Sequence, residues 1–174
     1  NFEMIEYFLF QIKTKEVLRR DRYMLRQSIC EIAAKNGHFD VLKKYGANTF
    51  YNIDVEKAVI QFGDMDTLKW CVKKRGGSLC KRDQEIIGMS AAKIGNIEVL
   101  EYIRENSSDY FHEIFHADYA AMSGSIQMLE FCQQNNFSFS EYACACALQN
   151  NDKAQALKTL QWLRNHNCPW DERT

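Results

Sequence analysis

Small and apolar residues recur along the chain in blocks that share one internal order: two small residues, two variable positions, a glycine, three mostly polar positions, then an aliphatic pair. Ala33-Ala34-Lys35-Asn36-Gly37 leading to Val41-Leu42 is the first clear copy. Ala91-Ala92-Lys93-Ile94-Gly95 leading to Val99-Leu100 is the second, and Ala120-Ala121-Met122-Ser123-Gly124 leading to Met128-Leu129 is the third. A weaker copy runs from Val59-Ile60 through Gly63 to Thr67-Leu68. The glycines are separated by 26, 32 and 29 residues, and the leucines keep the same intervals, so each block shifts as a unit. Apolar residues three and four apart on both sides of each glycine predict a pair of helices joined at that glycine. The alanines let two helix backbones approach closely, and the glycine ends the first helix in a left-handed conformation that costs other residues energy. The second helix is expected to point Ile97, Leu100 and Ile103, or Ile126, Leu129 and Cys132, inward.

Two degenerate copies flank these blocks. Upstream, Lys13 takes the glycine slot and Val17-Leu18 the pair; downstream, Ala145-Cys146-Ala147 fills the small-residue slot. There Leu160-Gln161-Trp162-Leu163 resembles Leu100-Glu101-Tyr102-Ile103, with about five extra residues inserted after the slot at Asn150. The pattern predicts about six helix pairs with little or no β structure. Neither helix of a pair can bury its apolar face alone, so the expected fold is all-α, a helical-hairpin repeat solenoid occupying 1–174 as a single array. An acid stands near each predicted start of a first helix: Asp54, Asp83, Glu113, Glu141 and Asp171 with Glu172. Carboxylates there stabilise the positive helix end by ~0.3–1 kcal/mol each.

Composition agrees with this reading and narrows it. One proline in 174 residues favours helix, 13% aromatic residues and a net charge of −1 argue against disorder, and no apolar run is long enough to cross a bilayer. Seven cysteines without a signal peptide point to a reducing compartment, and no C-x-x-C pair offers zinc its usual spacing. The cysteines therefore read as small, mostly buried apolar residues. Residues 1–87 carry 16 Lys and Arg against 12 Asp and Glu, and residues 88–174 carry 6 against 11. That gradient can orient an encounter with a partner but is too mild for binding nucleic acid through its phosphates. The chain starts at Asn1 inside an apolar pattern and stops just after a turn, which reads as a segment of a longer polypeptide.

The strings Ala-Ala-x-x-Gly-His/Asn-x-x-Val-Leu around Gly37-His38 and Gly95-Asn96, with Tyr45-Gly46-Ala47-Asn48, resemble the ankyrin-repeat family. The closing run Leu160–Glu172 is similar to a divergent ankyrin subtype abundant in large DNA viruses of protists and in algal and oomycete genomes. The Thr-Pro-Leu-His tetrapeptide of that family is missing from every repeat, and Gly46 follows Gly37 by only nine residues. Plain loops are therefore expected in place of the family's β-hairpin fingers. The resemblance implies a protein–protein interaction scaffold or adaptor in the cytoplasm (host cytoplasm or virion, if viral). A structural or assembly component of a larger particle is the alternative.

One motif carries catalytic potential. His112-Glu113-Ile114-Phe115-His116 reads H-E-x-x-H, which on one helix face lets two imidazoles share zinc with the glutamate as general base. No third ligand follows at the extended spacing, where Met122 stands, so His112 and His116 are weak metal candidates and a zinc hydrolase is a remote reading. Ser123-Gly124-Ser125 reads as a turn and Gly76-Gly77 lacks a following phosphate-loop lysine, so no enzyme reading is adopted and no cofactor is implied. The expected partner is another protein, with neither nucleic acid nor membrane. Its contacts are expected at the connectors and first helices: Tyr51, Asp54, Tyr110, Phe111, His112, Phe139, Glu141 and Trp170. The connector aromatics are read first as packing between neighbouring pairs and second as anchors for that partner.

Overall fold

The computed structural model describes Tyr7, Phe10 and residues 19–45, 53–62, 64–74, 76–106 and 116–170. These residues form ten helices and no strand. The helices are α1 (Arg19–Lys35), α2 (Phe39–Tyr45), α3 (Ile53–Phe62), α4 (Met65–Lys74), α5 (Lys81–Ile94), α6 (Ile97–Asn106), α7 (Asp118–Ser123), α8 (Ile126–Gln134), α9 (Tyr142–Ala147) and α10 (Lys153–Asn165). They pair in sequence order into five helical hairpins among the described residues, each first helix packing on its own second helix. The upstream copy at Lys13 lies outside the described residues.

The chain divides into two compact units, Asn1–Gly77 and Ser78–Thr174. In the first, α1 packs on α2 and on α3, and α3 on α4. In the second, the first helices α5, α7 and α9 pack in succession, α5 against α7 and α7 against α9, while α10 packs on α9, α7 and α8.

The repeated small residues explain that close succession. Ala33, Ala34, Ala91, Ala92, Ala120 and Ala121 are all fully buried, as are Val41, Leu42, Leu68, Leu100, Ile103, Leu129 and Cys132. The inward faces of α6 and α8 differ from expectation by a rotation. Val99 and Met128 are buried, whereas Ile97 and Ile126, the first residues of their helices, are only half-buried. A residue in the first turn leans toward the open end of its helix rather than onto the neighbour.

Gly37, Gly95 and Gly124 occupy equivalent places, with φ of 72°, 78° and 71°. At Gly37 the His38 amide donates to Ala33 O at 2.8 Å and the Gly37 amide to Ala34 O at 3.1 Å; at Gly95 the Asn96 and Gly95 amides reach Ala91 O and Ala92 O at 2.9 and 3.1 Å. This Schellman pattern satisfies carbonyls that the helix end leaves orphaned. Gly124 keeps the bond to Ala121 O, while the Ser125 amide donates to Ser123 Oγ at 3.1 Å instead.

Three second helices end in the same way. After α8 the Asn136 and Phe137 amides donate to Gln133 O and Cys132 O, and after α10 the Asn167 and Cys168 amides donate to Arg164 O and Leu163 O. Asn136 and Asn167 hold the left-handed slot at φ 57° and 53°, where Gly76 closes α4. The described connectors 76–80 and 135–141 are plain loops.

Of the acids expected at first-helix starts, the two whose side chains are described, Asp83 and Glu141, do not cap them. Glu141 stands at the N-cap of α9 without a side-chain bond, and Asp83 is buried in the first turn of α5, accepting from Cys80 Sγ at 3.0 Å. Asp54 lies in the first turn of α3, and Glu113, Asp171 and Glu172 lie outside the described residues. Side-chain capping occurs instead at the second helices, one residue after the glycine slot and two after it at Asp152, where the backbone turns sharply and leaves the next amides bare. Asp64 Oδ1 accepts from the Thr67 amide at 2.9 Å, Asn96 Oδ1 from Val99 at 3.2 Å and Ser125 Oγ from Met128 at 3.3 Å. Asp152 Oδ1 accepts from Ala154 and Gln155 at 2.9 and 3.2 Å. Each such cap contributes ~1 kcal/mol.

Measured between these closures, the five extra residues of the last hairpin resolve into one in the turn and four inside α10. All seven cysteines are free thiols; Cys30, Cys71, Cys132, Cys144 and Cys146 are buried, Cys168 is half-buried and Cys80 is exposed. No helix among the described residues is long and apolar enough to cross a membrane.

Candidate functional site

A concave feature is built where α7 and α9 lie side by side. The connector 137–140 crosses the start of α7, and the Ala117 amide donates to Ser138 O at 3.3 Å. Asp118, the first residue of α7, is nearly buried and both of its oxygens are engaged by one residue of that connector. Oδ1 accepts from the Ser140 amide at 2.7 Å and Oδ2 from the Ser140 hydroxyl at 2.6 Å. The Ser140 oxygen in turn accepts from the Tyr142 amide at 3.1 Å, fixing the first turn of α9. Charge-assisted bonds of this length tie the two hairpins together more firmly than neutral ones would.

Beside this clamp lies a groove of about 510 Å³, with His116, Asp118 and Ser140 at the helix starts. Tyr119, Tyr142, Cys146 and Gln149 line the rest of it along α7, α9 and the turn that follows. Its size is that of ligand-binding clefts. Tyr142 is 60% exposed, and the Lys93 ammonium stands 4.7 Å from the centre of the Tyr119 ring. A second hollow of about 550 Å³ lies at the α9–α10 turn, walled by Leu148, Leu157 and Leu160 with Asn151 and Lys153. Asn150 lines it too, held by its bond to Met122 O at 3.1 Å.

The groove is poorly suited to nucleophilic chemistry. Burial, with the Asp118 charge, pushes the Cys146 thiol above its ordinary value, and Lys93 offsets only part of that. Burial and Asp118 push the Cys144 thiol in the same direction. A thiol held protonated is a weak nucleophile, and among the described residues no hydrogen bond joins Cys146 to His116. His116 is exposed and lies in the loop ahead of α7, not on the helix. His112 and Glu113 lie outside the described residues. Among those that are described, no group of three or more His, Cys, Asp or Glu is placed to hold a metal.

Of the expected contact residues, Tyr51, Tyr110, Phe111 and His112 lie outside the described residues, as does the side chain of Asp54. Phe139 is half-buried with its ring edge on Trp162, centroids 5.8 Å apart, and Trp162 stacks on His166 at 3.9 Å. Phe139 thus serves packing between the connector and α10. Glu141 sits between two lining residues without lining the groove itself. Trp170 is 56% exposed, with the Arg164 guanidinium 5.1 Å from its ring. The residues the pattern did not single out are Tyr119, Tyr142, Ser140 and Asp118. Tyr119 stands where the other copies carry Ile32, Ala58 and Ser90, and Tyr142 where they carry Ile29, Val55, Ile87 and His116, so the repeat pattern did not set either apart. Compared with known proteins, the chain matches no family model, no curated protein and no solved structure.

Proposed function

We propose that the chain is a non-catalytic, ankyrin-type helical-repeat scaffold that recognises another protein through the first helices of residues 78–174 and the connectors ahead of them. The observation that carries this reading is the equivalence of Gly37, Gly95 and Gly124, each closing a helix over a buried alanine pair and each followed by a second helix. Hairpins built to one plan and packed in succession leave the outer sides of the first helices as a preformed surface, which lowers the ordering cost of binding. The exposed Tyr142 and the ring of Tyr119 along the α7–α9 groove are the kind of rigid amphipathic side chains that anchor interfaces. A cytoplasmic setting, in a host cell or a virion, suits a chain with seven free thiols.

The test is affinity capture from native cells with the intact chain as bait, followed by mass spectrometry, repeated with Tyr142→Ala and Gln149→Ala together. Both residues are exposed, so the fold is expected to survive the changes. A protein captured in stoichiometric amount and depleted at least tenfold by the double variant supports the reading. A partner indifferent to the variant, or no protein partner at all, overturns it.

A further inference from the structure

The hairpin α9–α10 is left uncovered where the earlier hairpins are not. Leu160 repeats the position of Leu42, Leu68, Leu100 and Leu129, all fully buried, yet it is only half-buried. Its helix has not rolled it outward, because Thr159 before it and Leu163 one turn on are as buried as Met128 and Cys132, their counterparts in α8. Leu157 is 57% exposed, whereas Phe39, Met65, Ile97 and Ile126 at the same position are buried or half-buried. Leu148 is exposed at a position where α1 and α5 carry Lys35 and Lys93. At the turns, cover comes from the next hairpin: Phe62 stands over Gly37, Ser123 and Ser125 over Gly95, and Asn150 and Gln155 over Gly124. At Asn150, the fifth slot, the hollow of about 550 Å³ takes that place, and its only charged lining residue is the exposed Lys153. An outer hairpin face that stays in water is ordinarily polar, and this one presents three leucines.

A matching surface stands on α1. Leu25 and Ile32 are exposed there, seven residues apart and so two turns along one face, Ile32 by 56%. Lys93 against the Tyr119 ring gives the register of neighbouring first helices: the residue two before one slot meets the residue five before the next. Leu148 stands two before Asn150, and Ile32 stands five before Gly37. We propose that a second copy of this chain occupies the hollow, its α1–α2 hairpin packing on α9–α10 as α7 packs on α5 and α9 on α7, with Ile32 against Leu148. The contact removes leucine and isoleucine surface from water, which drives it. Long-range charge sets its direction. Residues 1–87 carry 16 Lys and Arg against 12 Asp and Glu and residues 88–174 carry 6 against 11, so unlike halves attract and like halves repel. The two surfaces of the contact differ, so a copy that has joined one neighbour still offers its other surface to the next.

The experiment is sedimentation velocity of the intact chain under reducing conditions, from about 1 μM to 1 mM. The average mass should climb with concentration past that of two copies. Leu157→Asp spoils the hollow and Ile32→Asp spoils α1; both residues are exposed, so each variant is expected to fold. Each alone should weaken self-association at least about tenfold. Mixed in equal amounts, the two variants should form a one-to-one dimer and nothing larger, because one keeps an intact α1 and the other an intact hollow. Leu148→Asp and Leu25→Asp repeat the two arms at second positions, and circular dichroism with thermal midpoints confirms that every variant is folded. A chain that stays monomeric throughout overturns the proposal. So does a dimer abolished by Leu157→Asp but indifferent to Ile32→Asp and Leu25→Asp, which is two hollows meeting face to face, and so does a mixture that fails to pair.

Discussion

Replacing Thr159 with valine should stabilise the 78–174 unit, while the same replacement at Thr67 should destabilise the 1–77 unit. The two threonines precede the leucines that occupy the same repeat position, Leu68 and Leu160, and both are fully buried. Thr67 is the third residue of α4, where its hydroxyl donates to Asp64 Oδ2 at 2.8 Å and its amide to Oδ1. Thr159 is the seventh residue of α10, because four extra residues separate it from the capping Asp152, and its Oγ1 has no hydrogen-bond partner. A buried hydroxyl without a partner costs ~1–3 kcal/mol, whereas a hydrogen bond to a charged group contributes ~1.5–3 kcal/mol. Thr159→Val is therefore expected to gain ~1 kcal/mol and Thr67→Val to lose ~2 kcal/mol, a difference of ~3 kcal/mol between identical chemical changes. In a chain this long that corresponds to about 2–4 °C in Tm per kcal/mol. Urea titration by circular dichroism, with Trp70 emission reporting 1–77 and Trp162 and Trp170 reporting 78–174, follows each unit. A loss of more than ~0.5 kcal/mol for Thr159→Val would show that its hydroxyl is satisfied and refute the reasoning; so would a neutral Thr67→Val.

Gly124→Ala should destabilise well beyond the ~1–2 kcal/mol cost of a left-handed alanine, because a Cβ there would meet Asn150 Nδ2 at 2.5 Å and Gln155 Oε1 at 2.6 Å. Moving Asn150 also breaks its bond to Met122 O, while Gly77→Ala, with open space around it, should incur the conformational cost alone; thermal melts rank the two. Asn136→Gly should be neutral or slightly stabilising and Asn136→Ala should lose ~1 kcal/mol, since only the conformation at φ 57° is at stake. Burial pushes the Cys132 thiol up to about 12, and burial with the Cys144 and Asp118 charges pushes Cys168 to about 11. Folding thus favours the protonated thiols, so their contribution is complete below about pH 9 and is lost as pH rises through 11 and 12. Iodoacetamide at pH 8 should label exposed Cys80 first and Cys132 last by peptide mass spectrometry. Urea midpoints should fall between pH 8 and 10.

Much of the helical plan was legible because its signals are local. Glycine after two alanines ends a helix whatever surrounds it, and Gly37, Gly95 and Gly124 do so with nearly one backbone geometry. Two signals were present and passed over. Asn136 and Asn167 perform the glycine's task at the ends of second helices, and Asp64, Asn96 and Ser125, one residue after the glycine slot, and Asp152, two after it, cap those helices. The acids near first-helix starts follow the general preference for negative charge there, yet Glu141 makes no side-chain capping bond and Asp83 turns inward. The groove was hidden for a different reason. Asp118 and Ser140 are 22 residues apart, and their pairing depends on how one hairpin sits on the next, which no periodicity within a hairpin encodes.

The longer α10 shows how such a chain tolerates change in length. Four residues in an α-helix amount to ~400° of rotation, one full turn plus ~40°, so Trp162 and Leu163 face the interior much as Phe131 and Cys132 do in α8. Asp152 and Asn167 form self-sufficient brackets at either end, closed by their own nearby amides and carbonyls. Insertions of three or four residues between such brackets pass with little disturbance, whereas one or two would swing the apolar stripe into solvent. Lineages of this protein are thus free to drift in spacing by near-whole turns.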